Sequence, residues 1–336
     1  MSTDGTSATV YATAATPRGS ATALWGGIVF SLAFTGLIAY AGSHWLTHGA
    51  LTPERPGFWY QWQLQVPDVW SRATAWAGYT VHQVTIWWLI WSAQQQRPAY
   101  TAGLHRFNVL ALAVNAVFIG LHFVQTQVWY DGLAQDVHEA TAQWSVILLL
   151  IAVLVMENRR RGLVFGRGSA WMERAGPFLR RYHGYYFAWA TIYTFWYHPM
   201  EDTWGHLFGF FYMFLLMLQG SLFYTRAHLD RRWTVSLEVT FAIHGAMVAW
   251  LAGHSWRMFL MGGLAMFVIT QMHGLGLSRR ARWLISLGYV GAALALYAGP
   301  GWTRLPELAG IPLTLLGGAF VLALVVLGGR RALSPT

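Results

Sequence analysis

The sequence contains no cysteine and no lysine, and it is poor in charge. Without cysteine there can be no disulfide, thiolate nucleophile, iron–sulfur cluster or cysteine-ligated zinc. Without lysine there can be no retinal or pyridoxal Schiff base, since both are built on a lysine amine. All 22 basic residues are therefore arginine. Only 10% of the 336 residues are charged, whereas a soluble globular chain carries about 25%. Motifs are missing as well. There is no phosphate-cradling GxxxxGK[ST] loop, no HExxH zinc helix, no combined HxxxH and HxxHH boxes of the di-iron membrane enzymes, and no GxSxG nucleophile elbow.

What is present is apolar and aromatic. Hydrophobic residues make up 55% of the chain, with 20 Trp, 15 Tyr and 19 Phe. Long apolar runs alternate with short polar loops, the pattern of an all-α, polytopic integral membrane protein. Spanning a hydrocarbon layer of about 30 Å takes roughly 20 helical residues. About ten transmembrane helices are expected, near 22–43, 74–93, 107–129, 141–157, 179–198, 206–225, 233–252, 256–275, 282–299 and 309–328. Residues 1–21 are rich in Ser, Thr and Ala and lack a hydrophobic stretch, so they read as a disordered cytoplasmic tail rather than a signal peptide. Residues 22–329 then form a single transmembrane helical domain.

Arginine placement sets the orientation. The loops 94–106, 157–182, 226–232 and 276–282 hold most of the arginines, and Arg18, Arg330 and Arg331 fall on the same side. The alternate loops hold Asp68, Asp131, Asp136, Glu139, Glu201, Asp202 and Glu307. Basic loops stay in the cytoplasm, so both termini are expected inside a cell membrane of the bacterial inner-membrane kind. The net charge of +9 is thus a topology signal with membrane lipids as partners, and not a sign of nucleic acid. Partner subunits or a homo-oligomer remain open. The long outer loop 44–73, with Trp59, Tyr60, Trp62 and Trp70, suits a segment at the membrane interface. In the inner connection 157–182, Ser169–Leu179 reads as an amphipathic stub on an anionic leaflet.

Thirteen histidines are the chief anomaly. Imidazole is the usual protein ligand of haem iron, copper and zinc, and the usual general base near neutral pH. His82, His122 and His244 lie seven or eight residues from the outer ends of three different spans. At about 1.5 Å per residue this is one common depth of roughly 12 Å. Three imidazoles at one level fit a transition-metal site (copper, iron or zinc), and two of them fit the axial positions of a haem. Separate hydrogen bonds to neighbouring helices would satisfy them equally. His44 and His48 stand four residues apart and share a face if the first helix continues through them, which would make a metal pair.

The stretch His183–Thr225 reads as a hairpin of two apolar segments around the turn Pro199-Met200-Glu201-Asp202-Thr203-Trp204-Gly205. His198 and His206 stand at its lips, and Glu201 or Asp202 could orient either imidazole; Asp202 and Thr203 would also serve as plain helix caps. Glu238 is a carboxylate inside the seventh span, suited to a proton relay or to pairing with an inner arginine. Trp87, Trp88, Trp91 and the aromatic run 185–197 could line a macrocycle, quinone or lipid cavity, or face lipid.

Three functions are consistent with these residues. The first is a membrane oxidoreductase, or the membrane subunit of one, holding haem or a transition metal through His82, His122 and His244. The second is a transferase or lipid-modifying enzyme working on a small-molecule or lipid substrate. It would use His198 or His206 with a carboxylate as general base at the outer surface. The third is a proton-coupled transporter using histidines and Glu238.

Overall fold

A computed structural model describes residues 19–53 and 60–332 of the chain. Eleven α-helices carry the architecture: α1 (Gly19–His44), α2 (Val69–Gln96), α3 (Arg106–Trp129), α4 (Glu139–Arg161), α5 (Ala170–Glu173), α6 (Gly176–Tyr197), α7 (Trp204–Ser221), α8 (Arg231–Leu251), α9 (Trp256–Ile269), α10 (Arg279–Ala298) and α11 (Gly310–Ala332). The sequence-predicted segments fall on ten of them. Residues 19–21 already belong to α1, so the tail predicted over 1–21 is helical at its end; residues 1–18 and Trp59 lie outside the described residues.

Among the described residues six helical segments are long and apolar enough to cross a membrane: Gly19–His44, Arg106–Trp129, Glu139–Arg161, Arg231–Leu251, Arg279–Ala298 and Trp302–Ala332. The remaining long helices are shorter or more polar. α9 has only 14 residues and gives way to a 3-10 turn at Gln271–Gly274. α2, α6 and α7 turn polar side chains such as His82, Gln83, Thr191 and His206 inward. The outward surface is strongly apolar. On α10 alone Trp283, Leu284, Leu287, Val290 and Leu294 are all exposed, which is consistent with a membrane protein.

Helix starts follow local rules. Asp68 caps α2 by accepting from the backbone N–H groups of Trp70 and Ser71, Thr203 caps α7, Asp230 caps α8 and Ser278 caps α10. α6 instead begins with Pro177 in its first turn, where a missing N–H costs nothing. Two cores result. One gathers Phe195, Trp196, Phe210 and Phe214 between α2, α3, α6 and α7. The other packs α4 against α11 through Leu150, Leu154, Leu315 and Ala319. The predicted amphipathic stub at 169–179 does not lie apart on a surface: Met172 and Ala175 are buried in this second core.

At one end of the bundle residues 45–53 and 60–68 fold over the turns 130–138 and 198–203. The contact depends on Gly132, where an added Cβ would come within 2.5 Å of the Trp196 carbonyl oxygen and 2.6 Å of that of Tyr197. Both obstacles are backbone, so only glycine lets the segment after α3 lie against the end of α6. The opposite end is joined by backbone hydrogen bonds between Thr101 and Tyr224 and between Phe165 and Ile269.

Candidate functional site

The turn between α6 and α7 sits at the centre of a chamber-like cluster of buried polar side chains, covered by residues 45–53 and 60–68. Tyr60 reaches in from that loop and is 8% exposed. Its hydroxyl is 2.9 Å from His206 Nε2, and its backbone N–H donates to Glu139 Oε2 at 2.6 Å. His206 Nδ1 lies 2.7 Å from Thr203 Oγ1, so both ring nitrogens are engaged. Trp62 presents its ring to His206 edge-on at 4.9 Å. The ring is thereby fixed on all sides.

His198 is held differently. It stands at the C-cap of α6, and its carbonyl accepts a 2.8 Å hydrogen bond from His122 Nε2. Its ring packs 5.0 Å from that of Tyr60 and 5.5 Å from that of His206. Its Nδ1 is buried with no hydrogen-bond partner among the described residues. An imidazole so placed offers a free lone pair or N–H at Nδ1.

The carboxylates take partners other than the two lip histidines. Tyr130 Oη donates to Glu201 Oε1 at 2.5 Å, and His48 Nε2 is 3.6 Å from the same oxygen while its ring packs on Tyr130 at 4.5 Å. Asp202 turns towards α1 and accepts from Ser43 Oγ at 2.9 Å. Room for it comes from Gly42, where a Cβ would fall 2.4 Å from that of Asp202. The expectation that Glu201 or Asp202 orients His198 or His206 is therefore corrected: Tyr60 and Thr203 do so for His206. The cap of α7 is Thr203, leaving Asp202 free to reach across.

Asp131 closes the chamber on the α3 side. Its two oxygens accept the Leu64 N–H at 3.1 and 3.2 Å. Burial, with the nearby Asp136 charge opposed by Leu64 and His48, pushes its carboxyl up to about 6. The folded state therefore holds this proton more tightly than the unfolded chain does. Between about pH 4 and 6 the native form binds the extra proton, so this group's contribution to stability falls as pH rises through that window. Melting curves compared with Asp131→Asn across pH 4–7 should lose that slope. An unchanged slope would remove Asp131 as its source.

The histidines read as a shared ligand set have separate partners. His82 Nε2 donates to Asn115 Oδ1 at 2.8 Å and its Nδ1 accepts from Trp196 Nε1 at 3.3 Å. Asn115 passes the chain on to Ser221 Oγ at 2.8 Å. His122 spends Nε2 on the His198 carbonyl, and its Nδ1 is 3.0 Å from Gln125 Oε1. His244 Nε2 donates to the Gly205 carbonyl at 3.2 Å. The Trp196 indole packs on His122 at 4.4 Å while bonding His82, filling the space the two would need to share. Among the described residues no group of three or more His, Asp or Glu side chains is placed to hold a metal ion.

The other expected sites also part company. α1 ends at His44, whose ring stacks on Tyr40 at 4.3 Å, so His44 and His48 do not share a helical face. Glu238 is far from the chamber: it forms a two-pronged ion pair with Arg161 at 2.7 and 2.8 Å and accepts from Gln271 Nε2 at 3.0 Å. Beside it lies a cavity of about 40 Å³. Trp87, Trp88 and Trp91 are exposed, whereas Trp189 and Trp196 pack in the aromatic core.

Tyr130, Asp131 and Glu139 had no signal beyond their place in acidic loops, and Tyr60 only that of an interfacial aromatic. Compared with protein-family models, with curated proteins and with solved structures, the chain matches none.

Proposed function

We propose that the chain is a multi-pass membrane enzyme whose chamber performs general acid–base chemistry on an extracytoplasmic small-molecule or lipid substrate. The observation that carries this reading is His198: an imidazole with an unpartnered Nδ1, beside a Tyr60–His206 pair that already has its proton partners. His198 would take the substrate proton. Tyr60, whose phenol burial keeps protonated, would supply one, with His206 positioned to replenish it. Glu201 with Tyr130 and His48 forms the opposite wall and suits a polar or cationic part of the substrate. The chemistry class is transfer or hydrolysis assisted by a base.

The test compares membranes of cells producing the native chain with those producing His198→Gln, by mass spectrometry of lipids and extracytoplasmic small molecules. A product present with the native chain and absent with the variant supports the reading. Indistinguishable profiles overturn it.

A haem- or metal-binding oxidoreductase through His82, His122 and His244 remains the competing proposal. It would require the three rings to leave their present partners and Trp196 to move, and a Soret band or stoichiometric metal in purified protein would favour it. A proton-coupled transporter would have to free Glu238 from Arg161.

For topology the proposal is ten membrane spans with both termini cytoplasmic. Its support is the coincidence of ten helices with ten apolar segments and the gathering of arginines in alternate loops. The chamber then faces outward. Reporter fusions after Arg161 and after Thr203 should give opposite location signals; equal signals would sink the arrangement.

A further inference from the structure

A second site lies at the chamber end of the bundle but on its outer surface. Trp204, Ile243, Ala246, Met247, Trp250 and Trp256, from α7, α8 and α9, line an open apolar cleft of about 640 Å³. Trp204 and Trp250 are 71% and 63% exposed, so the cleft opens outward. Indoles at the end of a membrane helix sit where hydrocarbon meets headgroups.

Beside Trp256 stands a cation with a donor that lacks an acceptor. The Arg257 guanidinium stacks over the Trp256 ring, 4.6 Å from its centre. Its Nε is buried without a hydrogen-bond partner, and Arg257 has no carboxylate partner among the described residues. The Tyr297 hydroxyl, on a side chain only 1% exposed, is likewise unpartnered. Arg257, Arg304 and Glu307 are near enough for their charges to act on that hydroxyl, but Glu307 is already paired with Arg304 at 2.5 Å. A guanidinium with an unsatisfied Nε and no carboxylate partner calls for an anionic oxygen ligand, because leaving such a donor buried and unsatisfied is costly.

We propose that this surface binds an anionic membrane phospholipid, with its phosphate on Arg257 and an acyl chain in the cleft of Trp204, Trp250 and Trp256. The planar guanidinium fork matches phosphate geometry, and its stacking on Trp256 pre-organises it. The site is independent of the chamber chemistry, since Arg257 and the cleft contribute no group to it.

The experiment uses the full chain purified in a neutral maltoside detergent, with bound lipid counted by native mass spectrometry and unfolding followed by tryptophan fluorescence. Phosphatidylglycerol, phosphatidylcholine and glycerol phosphate are the probes. The native protein should bind phosphatidylglycerol about tenfold to a hundredfold more tightly than phosphatidylcholine, the range expected for hydrogen bonds to a charged group. Arg257→Gln should erase that preference while melting as the native protein does without lipid. Trp250→Ala should weaken both lipids alike. Equal binding of the two lipids by the native protein would overturn the proposal, as would a preference that survives Arg257→Gln. Glycerol phosphate binding as tightly as the lipid would overturn the acyl-chain half. None of these readouts needs turnover, so failure here is distinct from failure of the His198 reading.

Discussion

Replacing Glu238 with glutamine should destabilise the protein by about 3–5 kcal/mol, the typical result of removing one partner from a buried ion pair. The Arg161 side chain is fully buried and that of Glu238 nearly so. Their two parallel bonds at 2.7 and 2.8 Å are the main compensation for desolvating the guanidinium. Glutamine keeps the shape but turns an amide N–H₂ towards the arginine donors, leaving a cation uncompensated. Gln271 cannot take over, because it donates to Glu238 through Nε2 while its own Oε1 has no partner. The 20 tryptophans make unfolding measurable by intrinsic fluorescence. The double change Arg161→Met with Glu238→Leu should recover most of the loss, since both charges then leave together. If the single variant melts like the native protein, the pair is not the stabilising unit described here. If the double variant is worse than the single, apolar replacement does not fit this site.

The second large effect concerns rate rather than stability. Once a product is identified, His198→Gln should lower its formation by about 10²–10⁴-fold, the usual contribution of a positioned general base. Stability should hardly change, because His198 Nδ1 has no partner to lose and the residue's anchoring contact, to His122, runs through the backbone carbonyl. Tyr60→Phe should also reduce the rate, while leaving its backbone bond to Glu139 in place. A purely structural role predicts the reverse pattern, in which the loss of rate follows the loss of fold. Equal rates for native and His198→Gln proteins at unchanged melting temperature would remove His198 as the base.

The helical class was legible in the residues themselves. In hydrocarbon a backbone must satisfy its own hydrogen bonds, so long apolar runs without charge become helices regardless of their neighbours. The capping residues Asp68, Thr203, Asp230 and Ser278 mark helix starts for the same local reason. The hairpin turn, with His198 and His206 at its lips, was also readable, because its residues are adjacent in the chain. The absence of cysteine and lysine excluded whole chemistries outright.

Tertiary structure alone decided which side chains meet. Counting residues places His82, His122 and His244 at a common depth, but rise per residue says nothing of helix rotation, and rotation aims the rings. Packing turned His82 to Asn115, His122 to the His198 carbonyl and His244 to the Gly205 carbonyl. The chamber is non-local in the same way. Tyr60 and His206 are 146 residues apart, Tyr60 and Glu139 are 79 apart, and Tyr130 and Glu201 are 71 apart. No local pattern couples such positions. They meet because residues 60–68 fold back over the turn, and because Gly132 and Gly42 let backbone and side chains approach where a Cβ would block them.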